Sequence, residues 1–228
     1  MALYAIGDLH LSFGVDKPMD VFGSGWVNYA EKIKVGFQCL KPDDLCVLCG
    51  DTSWGMNLKE SLEDFRFIDS LPGKKIILKG NHDYWWETVT KMKAFFDANG
   101  IKSIDILHNN SFIYNETAIC GTRGWLNEEG YSTEQNDKIM LREITRLRTS
   151  LKSAGDSKAK LCFFHYPLRT KKTVCHELIA VMNEFGAKKC IYGHLHGDGH
   201  HIAIQGEADG IEYKMVSADY VGFVPQQV

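Results

Sequence analysis

Hydrophobic positions cluster in short runs that stop at polar corners. Residues 2–6, 45–49, 76–79, 161–164 and 190–192 are runs of strand length. They lead respectively into Gly7-Asp8-Leu9-His10, Gly50-Asp51, Gly80-Asn81-His82-Asp83, His165-Tyr166-Pro167 and Gly193-His194-Leu195-His196. Runs that are apolar throughout, with no in-out alternation, are the pattern of strands covered on both faces. Helical patterns separate them. Residues 28–40 form one. A second carries Leu62, Phe65 and Ile68 behind a capping box of Asn57 with Glu60, and a third spans 87–98 and stops at Asn99-Gly100. This β-α alternation predicts a parallel sheet with crossover helices.

Beyond residue 103 the pattern shortens. Residues 104–107, 111–114 and 117–120, separated by Asn109-Asn110 and Asn115-Glu116, predict hairpins. A long helix over 135–154, capped by Ser132 and Gln135, turns Met140, Ile144, Leu147 and Leu151 inward and leaves Arg142, Arg146 and Lys152 as a solvated face. A further helix carries Val174, Leu178, Val181 or Met182, and Phe185, and ends at Gly186; residues 202–205 and 211–216 predict a last hairpin. The irregular stretch 12–27 is expected at the rim of any site built on the corners.

A chain of 228 residues with 44% hydrophobic and 24% charged residues is expected to fold as one soluble domain, residues 1–228. Its apolar runs are too short to span a membrane, and no leader segment is evident at its start, so a cytoplasmic location is expected. A net charge of −3 gives no general field for nucleic acid. Five of the seven cysteines, Cys46, Cys49, Cys120, Cys162 and Cys190, lie in strand runs and are expected as buried, reduced thiols. The Cys46–Cys49 spacing places the two on opposite faces of a strand, which excludes a redox pair.

The corners together hold Asp8, His10, Asp51, Asn81, His82, Asp83, His165, His194 and His196, five of the nine histidines. Imidazoles, carboxylates and an amide without thiolate suit divalent or trivalent manganese, iron, zinc or nickel, and the number of donors suits two ions. Any one of these residues alone would be read as a turn or core residue; burying the whole set at one sheet edge without metal would be costly.

In order, D-x-H, GD, GNH followed by an acid, H and GHxH resemble the calcineurin-like metallophosphoesterase superfamily, from Asp8 to His196. The resemblance implies a four-layer α/β/β/α sandwich of two packed mixed sheets flanked by helices. It implies a dinuclear metal centre in which Asp8, His10 and His196 hold one ion, Asn81, His165 and His194 the other, and Asp51 bridges them. A metal-bridging hydroxide would attack phosphorus while His82, oriented by Asp83, protonates the leaving oxygen. The implied activity is hydrolysis of phosphodiesters, nucleotides or other small phosphoesters; a phosphoprotein phosphatase or a non-catalytic metal-binding scaffold of the same fold is the alternative. The motif details resemble compact bacterial members.

Substrate contacts are expected from Trp54 and Trp85, with Trp86 and Trp125 as further candidates to stack a planar group. Arg123 and Arg169 are the cations placed in sequence to hold phosphate. His200 and His201, just beyond the last corner, are expected as loop residues. The expected partner is a small phosphoester or nucleotide, with no membrane and with nucleic acid not favoured.

Overall fold

The protein is described by a computed structural model covering residues 1–126 and 131–228. Strands β1 (Leu3–Ile6), β2 (Leu45–Leu48), β3 (Lys74–Ile77) and β4 (Ile104–Ile106) run parallel in one sheet, in register Ala5–Val47–Ile76 at its centre. A second sheet orders β5 (Phe112–Tyr114), β6 (Thr117–Thr122), β7 (Ala159–Phe164), β8 (Lys189–Tyr192), β10 (Ile211–Met215) and β9 (Gly206–Ala208). Its inner strands are parallel and its two edges, β5 and β9, are antiparallel. Strand β11 (Gln226–Gln227) pairs antiparallel with β1, so both sheets are mixed.

Side-chain alternation explains the layering. Leu45, Val47 and Cys49 face the second sheet, packing with Ile119, Phe163 and Ile191, whereas Cys46 and Leu48 face the helices. Those helices are α1 (Tyr29–Gly36), α2 (Leu62–Ser70) and α3 (Val89–Ala98), which contribute Ile33, Phe65, Ile68, Met92 and Phe96. On the far side, α4 (Thr133–Ser153) and α5 (His176–Glu184) cover the second sheet with Leu147, Leu151, Leu178 and Met182. The result is the α/β/β/α sandwich. Cys46 and Cys49 lie in different cores, and burial pushes both thiols up from their usual range.

Several local expectations are corrected. Residues 104–106 form no hairpin with the next strand: β4 adds in parallel to β3, and of these three strands β5 and β6 form the hairpin. Asn57 and Glu60 do bond reciprocally, at 3.1 and 2.7 Å, but they close a turn ahead of α2, which starts at Leu62. Residues 197–202 form a 3-10 turn and the last hairpin is β9–β10. The Ser132–Gln135 capping box is present. Arg146 is only partly exposed and pairs at 2.5 Å with buried Glu143, so it is not part of a plain solvated face. Among the described residues no helix is long and apolar enough to cross a membrane.

Candidate metal centre

Each sequence corner lies just beyond the carboxyl end of a strand: Asp8 and His10 after β1, Asp51 after β2, Asn81 to Asp83 after β3, His165 after β7, His194 and His196 after β8. The first three corners belong to one sheet and the last two to the other, so the site straddles the seam between them. Asp8, His10, Asp51 and His194 all adopt the left-handed backbone region, with φ between 47° and 72°. Non-glycine residues there cost roughly 1 kcal/mol or more each and gather at functional sites, where the surrounding structure holds them. Close approach explains the glycines. A Cβ on Gly80 would run into the Asp51 carboxylate and amide, and one on Gly193 into the Asp8 carboxylate.

The donor atoms converge. Asp51 Oδ2 lies 3.7 Å from His10 Nε2 and 3.6 Å from His165 Nε2. Asp8 Oδ1 lies 3.7 Å from His196 Nε2, which is 3.3 Å from His10 Nε2. Asn81 Oδ1 lies 2.5 Å from His165 Nε2 and 3.2 Å from His194 Nδ1. Donors around one ion with bonds of ~2.1 Å stand roughly 3.0–3.5 Å apart; the separations of 3.2 to 3.7 Å are near such polyhedron edges, and the Asn81–His165 contact at 2.5 Å is shorter. The tautomers agree. With His165 Nδ1 3.1 Å from the Cys49 carbonyl, that nitrogen donates, and Nε2 turns a lone pair toward the amide oxygen of Asn81. Two acceptors facing each other are satisfied by a cation between them.

Backbone donors fix the carboxylates. The His194 N–H donates to both Asp8 oxygens, at 3.1 and 2.9 Å, and the His82 N–H donates to Asp51 Oδ1 at 2.8 Å. Asp83 is buried and accepts from the N–H groups of Gly80, Asp51 and Thr52 at 2.7, 3.0 and 2.8 Å and from the Trp85 indole at 3.0 Å. It therefore ties two corners together at the residue next to His82.

Burial lowers the pKa of His10 and pulls His165 and His194 down to about 3, so these three present neutral lone pairs at pH 7. Burial, with Asp83 and Asp8 nearby, pushes the Asp51 carboxyl well above its usual range. His196 is the exception: burial opposes its charge, but Asp219 and Asp8 outweigh it and raise the pKa to about 10. In the ion-free protein this interaction contributes stability below pH ~6.5, lost as pH rises through about 10. An ion binding to His196 at pH 7 must first expel its proton. Ion uptake is therefore expected to release at least one proton, and affinity to climb about tenfold per pH unit between pH 6 and 8. Calorimetry in buffers of different ionisation enthalpy measures the proton count; uptake with no proton release would refute the assignment of His196 as a ligand.

Asp219, absent from the sequence expectations, lies 2.9 Å from His196 Nδ1 and so orients that ring. It follows β10 through Val216-Ser217-Ala218, the same strand-end position as the other corners, and that signal was available. His200 Nε2 stands 3.2 Å from its other oxygen, out of line for a hydrogen bond.

Beside His10, His82 and His196 opens a cavity of about 860 Å³, walled by Val15, Met19, Phe22, Trp26, Trp54 and Met56. Residues 12–27 do stand at the rim. Trp54 stacks on His10, centroids 4.9 Å apart, with Lys17 Nζ 4.6 Å from the Trp54 ring centroid. Trp26, also not anticipated, packs edge-on to His10 at 5.9 Å. The other tryptophans are elsewhere: Trp85 is buried against Phe65 and Trp125 is buried with its indole on Asn136, while Trp86 packs on Trp85. Arg169 is paired with Asp209 in the β9–β10 turn. Arg123 does not line this cavity; its carbonyl accepts from the N–H groups of His165 and Tyr166 at 3.0 and 2.9 Å.

No curated relative matches the chain. Among solved structures it is similar to the phosphopantetheinyl hydrolase of Mycobacterium tuberculosis, 17% identical over 100% of this chain and 95% of that one, with a TM-score of 0.62. It is similar also to TT1561 of Thermus thermophilus, 12% identical over 99% and 97% of the two chains, with a TM-score of 0.53. At these identities the likeness is one of fold. The model of the calcineurin-like phosphoesterase family matches residues 1–198, and with the two-sheet sandwich and its edge of converging ligands the chain belongs to that family of metal-dependent phosphoester hydrolases.

Proposed function

We propose that the protein hydrolyses small phosphoesters, phosphodiesters and nucleotides foremost, with two ions. Asp8, His10 and His196 would hold one, Asn81, His165 and His194 the other, and Asp51, placed beside both sets, would serve both. The observation that carries this reading is the position of Asp51 Oδ2, almost equidistant from His10 and His165. Manganese, iron or zinc suit the donors. When bound, such a pair supplies an acidified water as nucleophile and neutralises charge on the phosphoryl group.

The chain's own residues do the rest. His82 lines the cavity, its Nδ1 3.4 Å from the Tyr84 hydroxyl, and its protonated ring would give the leaving oxygen its proton. Trp54 and the apolar wall hold the organic part of the ester and exclude water from one side, with Lys17 at the cavity wall to meet negative charge. The partner is thus a small molecule carrying a planar or apolar group.

The test is hydrolysis of bis-p-nitrophenyl phosphate beside p-nitrophenyl phosphate by manganese-loaded protein and a chelated control. Turnover that requires metal and prefers the diester is expected. Absence of turnover across manganese, iron and zinc, with two ions bound, would favour the scaffold reading instead.

A further inference from the structure

A second polar hollow lies at the carboxyl ends of β3, β4 and β6, sharing no residue with the cavity described above. Lys79, His108, Thr122, Arg123 and Arg146 line it. Three fixed cations face one carboxylate, Glu143, which is buried and already accepts from Thr122 Oγ1 and Arg146 at 2.5 Å each and from the Gly124 N–H at 3.2 Å. Among the described residues neither Lys79 nor Arg123 forms an ion pair within 4 Å, although Asp83 and Glu143 lie near enough to Lys79 to favour its charge.

Arg123 is held ready. Its guanidinium lies 4.9 Å from the Trp125 ring centroid and 6.0 Å from that of Tyr166, and its Nε is buried without a hydrogen-bond partner. A guanidinium fixed by aromatic rings with an unmet N–H has already lost the freedom that anion binding would cost, and a buried donor left unmet is itself unfavourable. Gathering half-buried like charges is also unfavourable without an anion among them.

We propose that this hollow is an anion subsite that takes a second phosphate or carboxylate of the substrate, beyond the scissile group. The inference rests on the phosphoesterase reading. Both cations are rooted in the metal-site corners: Lys79 directly precedes Gly80-Asn81, and Arg123 is bonded through its carbonyl to His165 and Tyr166. The Tyr166 ring links Arg123 to His194, its centroid 4.3 Å from the imidazole. The hollow itself has a free volume of about 10 Å³, room for roughly one water, so an anion would bind at its opening. The substrate class is then a phosphoester with two anionic groups, such as a nucleoside bisphosphate.

Two measurements on manganese-loaded protein test this. Calorimetric titration with sulfate should show binding that Arg123→Gln and Lys79→Gln each weaken at least tenfold, with Arg123→Lys intermediate and melting temperatures checked for all three. The KM of thymidine 5′-(p-nitrophenyl phosphate) should drop at least tenfold when a 3′-phosphate is added, and the two glutamine variants should erase that ratio. Sulfate binding unchanged in both folded variants overturns the subsite. Weakened sulfate binding with an unchanged KM ratio overturns its assignment to substrate and makes it a site for a free anion. If the wild type turns over neither ester while sulfate binding still depends on Arg123, the hydrolase reading fails and the substrate assignment with it, whereas the anion site stands.

Discussion

Asp51→Asn is expected to lose one of the two ions and to reduce turnover on the order of a thousandfold or more. The substitution keeps the size of the side chain and the Oδ1 acceptor for the His82 N–H, and removes only the charge beside His10 and His165. That charge is held at a disadvantage in the ion-free protein, because burial, Asp83 and Asp8 all raise the Asp51 pKa. The ion-free variant should therefore melt no lower than the ion-free wild type, which separates loss of metal from loss of fold. Metal analysis, melting temperature and kcat on bis-p-nitrophenyl phosphate decide the matter together. Two ions retained at full occupancy would overturn the placement of Asp51 between them.

His82→Ala is expected to act at a different step. Both ions should stay, since the distances that define the site involve other side chains, and turnover should fall about a hundredfold to ten-thousandfold on esters with poor leaving groups. A p-nitrophenyl leaving group hardly needs a proton, so its hydrolysis should be spared in large part. The comparison of an activated with an alkyl phosphoester in the same variant is therefore the measurement. Equal losses on both would remove His82 from the acid role and leave it as a binding residue in the cavity wall.

The convergence of most of the candidate site's residues was legible in the sequence because each group is contiguous with its strand. An apolar run and the polar corner after it are read together, and a parallel sheet brings all such corners to one edge. What depends on partners distant in sequence was not legible. Ile104 to Ile106 carry the same apolar pattern whether they pair with β3 or with β5, and only the packed sheet decides for β3. The tryptophans show the same limit: Trp85 donates to Asp83 and belongs to the core, whereas Trp54 lies against His10, a difference that a local stretch of sequence does not carry. Arg123 and Arg169 looked alike, yet Arg169 pairs with Asp209 whereas the Arg123 guanidinium lies over the Trp125 ring. Asp219 was legible, as the corner after β10, and β11 is too short for any pattern to reveal.

The ligands and the cavity wall come from different kinds of chain. Every proposed metal donor stands just beyond a strand end, while much of the cavity wall, from Val15 to Trp26, is carried on a connection of short turns between β1 and α1. Insertions and substitutions in such a connection leave the sheets, and so the donors, where they are. Divergence of specificity can thus proceed by remodelling the stretch between Val15 and Trp26 with the hydrolytic chemistry held constant. Phe22 and Val21, exposed at its tip, are the natural first positions for a library that redirects the enzyme to new esters.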